Sequence, residues 1–139
     1  MGSEWAATVI QVDLGKGKVS KQILPRRYSV EFLGGRGVNA RLLWDYLHEP
    51  GVDCFDPRNP LIFGVGPLTG TVAPCSGRTS ITCKGAETNL YLKVSMGGAW
   101  GGEFKLAGYD HVVFRGASEK PVYLMVYDDD IELKDASHL

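Results

Sequence analysis

Ser95-Met96-Gly97-Gly98-Ala99-Trp100-Gly101-Gly102-Glu103-Phe104-Lys105-Leu106-Ala107-Gly108-Tyr109-Asp110 is the stretch whose reading decides the fold. Four glycines in positions 97–102 surround one tryptophan, and a short helical turn then runs out at Gly108. Strand-like segments flank it: Asn89-Leu90-Tyr91-Leu92-Lys93-Val94 before, His111-Val112-Val113-Phe114-Arg115-Gly116 after. Glycine serves where backbone must take a positive φ or approach another group closely. A glycine cluster between strands therefore turns N–H groups toward an anion or cofactor, or makes a tight turn under a tryptophan that plugs the core.

Upstream, Leu61-Ile62-Phe63-Gly64-Val65 reads as a short buried strand running into Gly66-Pro67-Leu68-Thr69-Gly70-Thr71-Val72-Ala73-Pro74-Cys75-Ser76-Gly77-Arg78-Thr79. This loop offers small residues, hydroxyls and Arg78. The guanidinium suits bidentate binding of phosphate, or it is a surface arginine at a strand edge. Ser80-Ile81-Thr82-Cys83 alternates as a strand. Further out, residues 7–14 and 19–24 form a hairpin around Gly15-Lys16-Gly17-Lys18, and Pro25-Arg26-Arg27 breaks the pattern. Phe32-Leu33-Gly34-Gly35-Arg36-Gly37 makes a tight strand-to-helix lead-in, and Val38, Leu42, Leu43, Tyr46 and Leu47 share one helical stripe. This Gly-Gly-x-Gly lacks the lysine and spacing of a nucleotide loop. Residues 48–60 form a polar loop. Residues 121–127 and 131–134 are strands joined through Asp128-Asp129-Asp130. The architecture is α+β: one domain over 1–139, about eight strands with two short helices, built mainly on a mixed sheet.

A chain of 139 residues with 44% hydrophobic and 22% charged content is an ordinary globular composition. Ten of the 18 glycines fall between Gly64 and Gly108, which concentrates the special backbone in one region. A net charge of −1 gives no reason to expect nucleic acid or an anionic membrane as partner. The three cysteines, Cys54, Cys75 and Cys83, have no metal-ligand spacing and read as small buried or half-buried thiols in a reducing compartment. The N-terminus has no apolar signal region, and the longest apolar runs fall far short of the ~20 residues of a membrane span. A cytoplasmic location is expected. The chain stops at Asp135-Ala136-Ser137-His138-Leu139 directly after a strand, as a cut inside a larger protein would, and Met1-Gly2-Ser3 reads equally as a cloning remnant.

Acid–base chemistry is weakly signalled. Glu103 opens a helix, where a carboxylate suits the dipole, and Asp110 follows a helix stop. Asp128–Asp130 reads as a solvated turn rather than a metal site. His48, His111 and His138 lie far apart without ligand spacing.

Five blocks resemble the N-terminal domain of the tungsten-containing aldehyde:ferredoxin oxidoreductase family. They are Phe32-Leu33-Gly34-Gly35-Arg36-Gly37, Gly66-Pro67-Leu68-Thr69-Gly70-Thr71-x-Ala73-Pro74, Ser76-Gly77-Arg78, the Gly97–Asp110 segment, and Asp135-Ala136-Ser137-His138. The resemblance implies the first part of a longer enzyme that oxidises aldehydes to carboxylic acids. Its tungstopterin, or a molybdenum equivalent, is bridged by Mg. Electrons pass through a 4Fe–4S cluster to ferredoxin, and the cluster cysteines and catalytic groups belong to later domains. On that reading Gly77 and Arg78 meet a pterin phosphate. Ser95, Met96, Gly97 and Gly98 lie against the pterin, with the Ser95 backbone carbonyl on Mg.

Two features depart from the family pattern. The family carries Ala-Asn-Ser-Gly-Gly where this chain has Val94-Ser95-Met96-Gly97-Gly98, and Trp100 replaces a smaller aromatic. Similar Met-Gly-Gly-x-Trp variants occur in branches that reduce aromatic acyl-CoA thioesters, which is the alternative reading. A free-standing pterin- or phosphate-binding module is another. The domain alone is expected to be inactive and to hold no cofactor. Its exposed Gly-rich apolar face would be covered by later domains, or by a second copy in a homodimer.

Overall fold

The computed structural model describes residues 7–139, so Met1-Gly2-Ser3 lies outside the described residues. Alternation at the N-terminus gives β1 (Thr8–Asp13) and β2 (Lys18–Ile23), paired antiparallel across a turn in which Gly17 takes φ +59. Pro25 then begins an element instead of ending one. Its φ of −54 is pre-set for a helix start, and α1 (Arg26–Phe32) follows directly. Sequence periodicity predicts a break here and two helices, whereas the described residues form three. Leu33, at φ +63, ends α1, and α2 (Gly35–Tyr46) starts at once, so the glycine knot is a helix–helix corner, not a strand-to-helix lead-in. Tyr28 of α1 donates to Asp45 of α2 at 2.6 Å, fastening the two helices, and Arg41 pairs with the same Asp45 at 2.9 Å within α2.

The remaining elements are β3 (Leu61–Gly64), β4 (Thr79–Lys84), β5 (Tyr91–Met96), α3 (Trp100–Leu106), β6 (His111–Arg115), β7 (Val122–Tyr127) and β8 (Asp130–Asp135). Six strands form one sheet in the order β2-β1-β6-β3-β4-β5, and β7–β8 is a separate hairpin. Only β1–β6 is parallel; the other neighbours are antiparallel. The mixed sheet and the eight strands agree with the alternation in the sequence.

The sheet is covered on both faces at its centre. Val9, Ile62 and Val113 meet Val38, Leu42 and Leu43 of α2. Ile10, Phe63 and Val112 face the other way, onto Phe104 of α3, Tyr109 and the hairpin residues Leu124 and Val126. Double coverage explains the unbroken pairs Val9-Ile10 and Val112-Val113, because neighbouring residues point into opposite apolar layers. Cover stops before the edge. Register aligns Phe63, Ile81 and Val94 on the α3 side, and Leu92 and Val94 of edge strand β5 remain exposed.

β5 begins two residues later than the alternation predicts. Asn89 takes φ +57 and donates its N–H to Gly85 at 2.9 Å, completing a turn that consumes the expected first strand residues. Ser95 and Met96 are therefore strand, and the turn after them narrows to Gly97–Gly98.

Candidate functional site

Three glycine-rich segments meet at one end of the sheet. The loop from Gly66 to Arg78 is tied across its neck by buried Thr69, whose Oγ1 accepts from Gly66 N at 3.2 Å and donates to Ser76 O at 2.8 Å. It delivers Gly77 and Arg78 to the start of β4. Register pairs Thr79 with Met96, which sets Gly77–Arg78 across from Gly97–Gly98. The start of α2 joins them through Gly35 N–H donating to Val65 O at 2.9 Å.

α3 presses onto this junction. A Cβ at Gly101 would lie 2.6 Å from Thr79 Oγ1 and 3.2 Å from Gly77 O, so glycine is what lets the helix seat there. The turn has the opposite character. A Cβ on Gly77, Gly97, Gly98 or Gly102 would meet nothing within 4 Å, and Gly98 sits at φ +93. Bare backbone thus faces open space beside Arg78, which is exposed and makes no hydrogen bond or ion pair among the described residues. Sequence reasoning brought Gly77, Arg78, Ser95, Met96, Gly97 and Gly98 together as one site, and the register does place them at one end of the β4–β5 pair.

The two faces of the turn differ chemically. Ser95 points to the α2 side, where its hydroxyl accepts from the Lys93 ammonium. Met96 points to the other side and lines a cavity of about 720 Å³ between α3 and the β7–β8 hairpin. Phe63, Trp100, Phe104 and Leu124 are among its walls. The Trp100 ring stacks on Phe104 at 4.7 Å and remains 40% exposed, so it is a cavity wall and not a core plug. Arg36, at the start of α2, is a further exposed cation without a partner among the described residues. Sequence reasoning passed over Lys93 and Arg36. Lys93 could have been found from the two-residue strand period that puts it on the side of Ser95.

Buried polar groups tie this end to the core. Asn39 of α2 donates to Ile62 O and Ser80 O at 3.3 and 3.0 Å, and its Oδ1 takes the Nδ1–H of fully buried His111 at 2.8 Å. Burial holds the His111 imidazole at about 4, well below its ordinary 6.5. Asp110 is buried and ion-paired with Lys105, while Glu103 is exposed on α3. Asp110 is committed to that pair, and Glu103 lines the cavity together with Met96 and Trp100. Cys75 corrects one expectation: it is exposed, at φ +58, because it occupies a tight turn in the loop. Cys54 and Cys83 are half-buried as expected, and burial pushes the Cys83 thiol up. No helix among the described residues is long and apolar enough to cross a membrane.

The fold is an α+β domain whose glycine-lined end leaves open backbone and the exposed Arg78 guanidinium side by side. Residues 9–139 match the family model for the aldehyde ferredoxin oxidoreductase N-terminal domain, and the chain belongs to that family. It is 40% identical over 130 residues to the tungsten-containing aldehyde ferredoxin oxidoreductase of Pyrococcus furiosus, covering 94% of this chain and 21% of that protein. The protein of the same name from Thermococcus kodakarensis is also 40% identical over 130 residues, with the same coverage of each chain. Among solved structures, the active site complex BamBC of benzoyl coenzyme A reductase, in complex with 1,5-dienoyl-CoA, superposes with a TM-score of 0.92. Its identity is 42%, covering 95% of this chain and 20% of that one. The chain spans about a fifth of the length of the relatives it matches.

Proposed function

We propose that Gly77, Arg78, Ser95, Met96, Gly97 and Gly98 form one wall of a tungstopterin site in a longer oxidoreductase of which this chain is the N-terminal domain. The observation that carries this is the unpartnered Arg78 guanidinium across from the open Gly97–Gly98 backbone. When bound, the tungsten centre supplies the two-electron redox chemistry. Arg78 binds a pterin phosphate through paired N–H donors. The bare glycines let a flat ring lie against the backbone, and their N–H groups add to the anion site. The Ser95 carbonyl is the ligand for the bridging Mg, and Met96 and Trp100 keep water from that side. The later part of the protein brings the 4Fe–4S cluster, the acid–base groups and the surface for ferredoxin. The reaction is oxidation of an aldehyde to a carboxylic acid; the relatives' names support its aldehyde and ferredoxin parts. A cytoplasmic location fits such a partner.

A second reading is favoured by one observation. The solved complex at 42% identity is a benzoyl coenzyme A reductase, and this chain carries Met96 and Trp100 in the Met-Gly-Gly-x-Trp pattern. In that case the same wall serves an enzyme acting on an aromatic acyl-CoA thioester.

The test uses the full-length protein from its native source. Tungsten, molybdenum, iron and pterin are measured per chain, followed by turnover of aldehydes and of aromatic acyl-CoA thioesters. A metallated chain active on aldehydes with ferredoxin supports the first reading, and thioester activity alone supports the second. A short chain without metal overturns both and leaves a phosphate-binding module. Arg78→Ala should lower pterin and metal content roughly 10- to 100-fold, since charged hydrogen bonds contribute about 1.5–3 kcal/mol. Unchanged content would remove Arg78 from the site.

A further inference from the structure

We propose that the ion pair between half-buried Lys105 and buried Asp110 is a positioning device that holds the two arms of the glycine-lined site at their working separation. The inference rests on the cofactor-wall reading and adds residues that lie outside the wall itself.

Asp110 is a junction of three elements. Its backbone N–H donates to Thr8 O at 2.9 Å, and its carbonyl accepts from Val65 N at 2.9 Å. Its Oδ2 accepts from Thr8 N at 2.8 Å, and its Oδ1 receives the Lys105 ammonium. The carboxylate is therefore fixed to the start of β1, while its carbonyl fixes the exit of β3. Val65 in turn accepts from Gly35 N at 2.9 Å, which brings the start of α2 into the same framework. Lys105 is the point at which α3 is attached to it.

α3 carries one arm and supports the other. Trp100, its first residue, directly follows Gly97-Gly98-Ala99. Gly101 leaves no room for a Cβ against Thr79 and Gly77, so the helix rests on the lead-in to Arg78. Lys105 also runs beside the loop that ends in Arg78, because a Cβ built at Gly70 would lie 3.5 Å from both Lys105 Cβ and Cγ. A shift of α3 therefore moves Gly97–Gly98 and Gly77–Arg78 relative to each other. A Lys–Asp pair suits this role, since displacing Lys105 would leave the buried Asp110 carboxylate without its compensating charge.

The test is made on the full-length protein with Lys105→Met, which keeps most of the stem against Gly70 and removes the charge. Lys105→Arg, which restores it, is the second variant. Cofactor occupancy and local amide exchange are measured together. Lys105→Met should lose about tenfold or more in pterin per chain, in the ~10- to 100-fold range that supporting residues contribute to a bound centre. The amides of Glu103, Ala107, Gly108 and Tyr109, whose hydrogen bonds hold α3 and its exit, should exchange faster, with β1, β3 and β6 still protected. Lys105→Arg should recover both. Full occupancy and unchanged local exchange in Lys105→Met would overturn the proposal. So would uniform loss of protection across the sheet, because the pair would then serve stability alone. If the wild-type protein carries no pterin, the cofactor-wall reading fails separately, and the exchange pattern still decides whether the pair positions the two arms.

Discussion

His111 and Asn39 are an acid-labile joint between α2 and the sheet. Fully buried, the imidazole has a folded pKa near 4 against an ordinary 6.5, so the fold favours its neutral form. A depressed pKa contributes stability that is complete above about 6.5 and is lost as pH falls toward about 4. The loss is on the order of 3 kcal/mol, taking ~1.36 kcal/mol per pKa unit. Denaturant midpoints of the wild type should drop between pH 7 and pH 4.5, and His111→Gln should remove most of that slope. Equal slopes in the two proteins would show that His111 is not the group responsible. Surface Asp56, held at about 2 by the Arg58 guanidinium, titrates below this window. Sequence alone could not reveal the joint. His111 and Asn39 are 72 residues apart, and only the antiparallel register of β6 on β3 brings them together at Gly64. Arg78 is a different case: the residues around it left a phosphate ligand and a surface arginine at a strand edge equally open, and the structure adds that it is exposed across from Gly97.

At the scale of elements, glycine separates into two kinds around α3. Gly101→Ala puts a methyl 2.6 Å from Thr79 Oγ1, so overpacking should destabilise by about 1–3 kcal/mol and lower cofactor content in the full-length protein. Gly102→Ala meets nothing within 4 Å and should gain roughly 0.5–1 kcal/mol of helix stability. Thermal unfolding of the two variants checks the contrast, and equal shifts would contradict the seating of α3 on β4. The long periodic elements were the readable ones. Val38, Leu42 and Leu43 form the buried stripe of α2 that their spacing predicts, and β1 and β2 pair as the expected hairpin. α1 escaped because seven residues give fewer than two turns of periodicity, and only Ser29 of them is buried. The start of β5 was misplaced because a left-handed Asn89 has no apolar signature.

The whole molecule leaves apolar surface uncovered on the side of the site. Leu68, Val72, Leu92, Val94, Trp100 and Leu106, in the elements that meet there, are all exposed. The isolated 139-residue chain should therefore self-associate in sedimentation velocity as concentration rises, and Val94→Lys should weaken that association. A chain that stays monomeric at high concentration would contradict the reading of this face as one that is normally covered. On the proposed function, this is the face that the later part of a longer protein would cover. The most direct measurement of the central claim is a structure of the full-length protein with its cofactor bound. The account predicts a pterin phosphate oxygen at about 2.7–2.9 Å from the Arg78 guanidinium, with the pterin lying against Gly97–Gly98. A cofactor whose phosphates are held elsewhere, with Arg78 in solvent, would contradict it.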